Sequence, residues 1–124
     1  MAKQLDENEI ENWIQAGFKT QEANDWYKKG FSPDQANQWK QKRFLASNAL
    51  KWKRKGFSPD QASIWKSHGF TSPSQASLWS SNNFDPLEAQ KWIDAGFDPI
   101  EASEWRIGFS PTDAVELKIR TSEI

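Results

Sequence analysis

Phe57-Ser58-Pro59-Asp60-Gln61-Ala62-Ser63-Ile64-Trp65-Lys66-Ser67-His68-Gly69-Phe70 reads as one short helix with its own start and stop. Ser58 is an N-cap whose hydroxyl can accept from an orphan amide. Pro59 falls at the first helical position, where its missing N–H costs nothing. Gln61, three residues after the cap, completes a capping box. Asp60 favours the positive end of the helix dipole. Ala62 and Trp65, three apart, share one face. Gly69 ends the helix as its left-handed residue, and Phe70 stands at the spacing of the apolar contact that accompanies a Schellman ending. Phe70 also precedes the next cap and can staple onto Ala76. A helix of about nine residues, roughly 13–14 Å long, is unstable alone in water. Only stacking on neighbours can hold it.

The same frame recurs along the whole chain at about thirteen residues. Trp13, Trp26, Trp39, Trp52, Trp65, Trp79, Trp92 and Trp105 hold one slot, and Phe18, Phe31, Phe44, Phe57, Phe70, Phe84, Phe97 and Phe109 another. Ser32-Pro33-Asp34-Gln35, Asp85-Pro86-Leu87-Glu88, Asp98-Pro99-Ile100-Glu101 and Ser110-Pro111-Thr112-Asp113 repeat the capping grammar, and Asp6-Glu7-Asn8-Glu9 opens it. A fixed period marks a repeat array. The spacing predicts nine helices at 6–16, 19–29, 32–42, 45–55, 58–68, 72–82, 85–95, 98–107 and 110–120. The expected fold is all-α: one domain over 1–124, a tandem array with one short helix per repeat, wound as a compact α-solenoid or superhelix around a Trp/Phe spine. Antiparallel alternation and a tighter spiral both fit the spacing. Leu5 and Ile10 at the front and Leu117 at the back put smaller residues in the repeat slots, as in capping units near 5–17 and 109–120. A strand reading fails, because there is no period-two alternation and β-branched residues are few.

Three places break the frame. Arg43-Phe44-Leu45-Ala46-Ser47-Asn48 has lost Gly, cap and Pro together. Decay of one repeat is the favoured account; a kink, a longer helix or a contact site are the alternatives. The junction Phe70-Thr71-Ser72-Pro73 carries one extra residue, and Trp105-Arg106-Ile107-Gly108-Phe109 is one short.

The aliphatic inventory is thin, with eight Ile, six Leu and one Val, so the seventeen aromatics must supply most of the core. Each buries roughly 150–250 Å². With no Cys there is neither a disulfide framework nor a thiolate metal site. No apolar run approaches the roughly 18 residues that span a bilayer, and MAKQLDENEIENW is not a secretory signal. The expected compartment is cytoplasmic, with no membrane association.

No catalytic constellation, cofactor motif or metal motif is visible, so the expectation is a protein that is not an enzyme and binds no cofactor. His68 lies at a helix end, where it complements the dipole. Glu9, Glu22, Glu88 and Glu101 hold the capping-box slot. The Trp series can be read as a stacking platform for bases or sugars. Each Trp nonetheless shares a face with Ala and pairs in sequence with a Phe, which favours core. The fragment Gly-Phe-x-x-x-x-Ala resembles part of a ubiquitin-associated domain. Thirteen residues leave no room for that three-helix unit, so the resemblance implies nothing further.

Charge is the asymmetric feature. Residues 1–27 are net −4, residues 28–68 net +8 and residues 69–124 net −5, for a whole-chain balance of −1. The basic block is Lys28, Lys29, Lys40, Lys42, Arg43, Lys51, Lys53, Arg54, Lys55 and Lys66. Most of these complement helix dipoles in last turns, and that is the favoured reading. The second is a patch for an anionic partner. Counted from each cap, the sixth residue varies as Asn12, Asp25, Gln38, Lys51, Ile64, Leu78, Lys91, Glu104 and Glu116. These are expected to face outward and to carry recognition. The leading expectation is a helical-repeat scaffold or binding protein for a protein or peptide partner. Nucleic-acid or polyanion binding through residues 28–68 is the alternative, and a self-associating structural spacer is the third reading.

Overall fold

The computed structural model describes residues 5–122, and all the regular structure in that range is helical. The order is α1 (Glu7–Gln15), α2 (Thr20–Lys28), α3 (Pro33–Gln41), α4 (Ala46–Arg54), α5 (Pro59–Ser67), α6 (Pro73–Ser81), α7 (Pro86–Asp94), α8 (Pro99–Trp105) and α9 (Pro111–Ser122). Helices α1–α7 are nine residues each. The repeated-helix expectation therefore holds. The main differences lie at the end, where α8 has seven residues and α9 has twelve. None of the helices is long and apolar enough to cross a membrane, among the described residues. The chain divides into two compact units, Met1–Ser63 and Ile64–Ile124, and the division falls inside α5.

Each helix starts as its capping residues dictate. Asp6, Ser32, Ser58, Ser72, Asp85, Asp98 and Ser110 accept from the amide three residues on, at 2.7–3.3 Å. Gln35, Gln61 and Glu101 return the bond to the cap amide. At Lys19 only the Glu22 half is made, because a lysine cannot accept. Leu45 makes no side-chain cap bond.

Helices α1–α7 also stop alike. The Phe amide donates to the Trp carbonyl five residues back at 3.0–3.2 Å, from Phe18→Trp13 through Phe97→Trp92. The residue before each Phe has φ between 66° and 97°. This is the Schellman ending, which satisfies carbonyls the helix leaves unpaired. Gly fills the left-handed slot five times, Asn83 once and Arg43 once. The degenerate repeat has therefore kept its geometry. α4 is neither longer nor missing, and of the alternatives at Arg43 the longer helix is excluded.

α8 ends differently. Phe109 donates to Trp105 only four residues back, and Gly108 is not left-handed. The missing junction residue removes the Schellman turn.

In α2 to α7 the inner face is one Ala and one Trp, closed by the Phe. Ala23, Ala36, Ala49, Ala62, Ala76, Ala89, Ala102 and Ala114 are wholly buried, as small side chains must be where backbones approach closely. In the first unit α1 packs on α2, α2 on α3 and α3 on α4; in the second, α6 packs on α7 and α8 on α9. The rings of the first unit form a continuous edge-to-face series from Trp13 to Phe57. Centroids lie 4.9–5.1 Å apart within a repeat and 6.3–6.5 Å apart between repeats. In the second unit Trp65–Phe70, Trp79–Phe84 and Trp92–Phe97 pair at 4.8–5.2 Å, and the series continues to Trp105 and Phe109. Such pairs add to burial because each ring's positive edge meets its neighbour's negative face.

Candidate interaction surface

Trp13, Trp26, Trp39, Trp52, Trp65, Trp79 and Trp92 are buried, as are Phe18, Phe31, Phe44, Phe57, Phe70, Phe84 and Phe97. They cannot offer faces to bases or sugars. Trp105 is half-buried and Phe109 is 44% exposed. These two depart from the buried-spine expectation, and the shortened junction between them is the physical reason. The candidate surface is thus the other side of each helix.

The residue just after the Trp slot has a role that the dipole reading missed. Lys40 Nζ lies 4.6 Å from the Phe18 ring centroid, 3.3 Å from the Glu22 carboxylate and 3.4 Å from the Gly17 carbonyl. One cation on α3 thereby clamps the end of α1 and the start of α2. Arg106, the C-cap of α8, does the same. It lies over Phe84 at 4.3 Å, pairs with Glu88 at 2.8 Å and donates to the Asn82 and Asn83 carbonyls. Lys118 lies 4.7 Å from the Phe97 centroid and 2.8 Å from Glu101. Lys53 lies 4.6 Å from the Phe31 centroid. Where the helix between carries Gln35 rather than Glu, the carboxylate arm is absent.

The clamp follows from the repeat. A cation after the Trp slot falls twenty-two residues after a Phe, or twenty-one across the short junction at Gly108. The signal was present in the sequence, but it spans three helices and local helix grammar cannot see it. Glu22 feels the clamp. The Lys19 backbone amide, and then Lys40, hold its carboxyl below the usual range, outweighing the partial burial that pushes it up.

The cations of the basic block differ in their partners. Lys40 and Lys53 reach inward over rings. Lys42 pairs with Asp60 at 3.1 Å. Lys28 is exposed at the end of α2 and Lys29, its C-cap, is half-buried. Arg43, Lys51, Arg54 and Lys55 are exposed around α4 and pair with no carboxylate among the described residues. Lys66 is exposed near the end of α5. His68 caps that end, with Nδ1 2.9 Å from the Ile64 carbonyl.

The outward slots are exposed as the variation predicts, including Asn12, Asp25, Gln38, Lys51, Ile64, Leu78, Lys91, Glu104 and Glu116. In the second unit two of these slots, Ile64 and Leu78, are apolar, and so are Leu87 and Ile100, each exposed two residues after its cap. Two pairs of helices two apart, one in each unit, leave a groove between them. In the first unit Asn12, Gln15, Ala16, Pro33 and Asp34 line about 450 Å³ between α1 and α3. In the second, Lys91, Asp94, Ala95, Pro111 and Thr112 hold the equivalent places, with Ser110 and Val115, around about 710 Å³ between α7 and α9.

Comparison with protein-family models, with curated proteins and with solved structures finds no match to this chain.

Proposed function

We propose that the chain is a non-enzymatic helical-repeat module that recognises a protein or peptide partner through the outward slots of its repeats. The observation behind this reading is the groove between helices two apart. It recurs at the same repeat positions in both units, while its lining changes from Asn12, Gln15 and Asp34 to Lys91, Asp94 and Thr112. A fixed frame carrying a variable concave surface is how repeat proteins bind extended partners. The exposed side chains of Leu78, Leu87 and Ile100 add apolar area that a partner would remove from water. The buried rings weigh against base stacking as the mode of recognition.

Selection of a random displayed-peptide library on the folded chain tests the reading. Enriched peptides are expected to lose binding to Leu78→Glu with Leu87→Glu, or to Thr112→Trp, which fills the groove from an exposed position. Far-ultraviolet circular dichroism should stay helical in each. Failure to enrich any peptide would contradict the reading. If the chain instead sediments as its own oligomer and enriches nothing, the self-associating spacer takes its place.

A further inference from the structure

We propose that α4 and the turn before it dock a short acidic segment of the partner, with Arg43, Lys51, Arg54 and Lys55 as the anion-binding groups. This rests on the peptide-binding reading and names the partner's chemistry. Residues 35–59 contain seven cations and no carboxylate. The fold uses three of them: Lys40 on Glu22, Lys42 on Asp60 and Lys53 over Phe31. The other four meet no carboxylate among the described residues.

Dipole complement does not account for the four. A helix end carries only about half a charge. Lys51 has Arg54 and Lys55 three and four residues on, and like charges at those spacings destabilise a helix. Ser47, Lys51 and Arg54 lie on the side of α4 opposite the buried Ala49 and Trp52, so this face points to solvent.

The repeat grammar is also broken here, and the breaks destabilise. Arg43 takes a left-handed φ of 67° in a slot that Gly fills five times. A side chain there is strained. Leu45 stands where Ser or Asp caps most other helices, makes no cap bond and is 72% exposed. Both changes cost stability and both put a binding-competent side chain on the surface. Observed strain without a structural return is a pointer to function.

The partner class follows from the shape of the patch. It is one helix of nine residues, and α1 of the same unit carries Glu7, Glu9 and Glu11. A long polyanion would run beyond the patch, whereas a short segment fits it. Leu45 adds an apolar contact that a phosphate backbone has no use for. A short peptide of glutamates around a leucine matches both features.

The test uses that peptide, fluorescently labelled, with the full chain at low salt. A glutamine-for-glutamate version and single-stranded and duplex oligonucleotides are the comparators. The glutamate peptide should bind, weaken steeply as salt rises, and lose about tenfold or more in affinity with Lys51→Gln, Arg54→Gln and Lys55→Gln together. These neutral changes spare the inner face. Arg43→Gly should weaken binding several-fold, on the order of one charged contact, while raising the melting midpoint. A purely structural Arg43 would not separate those two readouts. Equal binding of the glutamine peptide, or unchanged affinity in the triple variant, overturns the proposal, and so does tighter binding of either oligonucleotide. If the glutamate peptide fails while library-selected peptides bind elsewhere, only this proposal falls. If neither binds, both readings fall.

Discussion

In the first unit the sixth residues after the caps are all polar, Asn12, Asp25, Gln38 and Lys51; in the second they are mixed, Ile64, Leu78, Lys91, Glu104 and Glu116, and Leu87 and Ile100 stand exposed two residues after their caps. Beneath both lie the same wholly buried alanines, and beside them the same Trp–Phe pairs near 5 Å. The first unit is net +3 and the second net −4. The contrast teaches that inner and outward slots answer to different demands. Burial and close approach fix the inner ones to Ala, Trp and Phe. Solvent accepts almost any residue on the outward ones, so their chemistry is open to recognition.

The largest expected effect tests whether the inner slots are equivalent. Trp26→Ala in the first unit and Trp92→Ala in the second should each cost about 3–5 kcal/mol, as deletion of a buried ring does. Trp105→Ala should cost about half as much, because its ring is half-buried and the turn after it is irregular. Chemical denaturation measures all three. A full-sized loss at Trp105 would show that the short junction does not weaken the spine.

Next come the left-handed positions. A Cβ at Gly30 or Gly96 would meet nothing within 4 Å, so only the torsion resists a side chain there. Valine at either should cost about 1–3 kcal/mol. Asparagine should cost clearly less, since Asn83 already occupies that slot. Equal losses from Val and Asn would contradict the torsional account.

The degenerate repeat offers the reverse sign. Arg43→Gly removes strain, and Leu45→Ser restores an N-cap, each with a gain of about 1 kcal/mol. Thermal melts should show both gains, and no gain in either would mean that α4 is held by something other than its caps.

Much of this was legible in the sequence, and the reason is local. Ser58, Pro59, Gln61 and Gly69 act within a single helix, so helix number, caps and stops could be read from one repeat. The Arg43 ending was not, because no residue there has left-handed preference; the neighbours impose it. The clamps at Lys40, Arg106 and Lys118 were not, because each joins groups seventeen or more residues apart. The division of the basic block followed only once those partners were placed. The outward face was legible from variation alone, although the groove lining it was not.

Smaller effects belong to the clamps. Lys40→Met should cost about 0.5–1 kcal/mol, the size of an exposed cation–ring contact. Arg106→Met should cost more, since its guanidinium adds a short ion pair and two carbonyl contacts in the second unit. The smallest is a pH effect. Glu22 has its folded pKa below its unfolded one. Its contribution is therefore full above the unfolded value and is lost as pH falls through the lower folded value. Glu22→Gln should shallow the acid side of the stability–pH curve, and an unchanged curve would contradict the lowered folded pKa.

The division of labour between inner and outward slots is tested most directly by measuring the stability of every single substitution along the chain, through protease resistance of the folded state. The losses should rise and fall with the thirteen-residue period of the sequence. Their peaks should stand at the Ala, Trp, Phe and left-handed slots. The profile should be flat at Lys51, Leu78, Leu87 and Lys91 and reverse sign at Arg43 and Leu45. A profile without that period, or outward slots as costly as the tryptophans, would contradict the account.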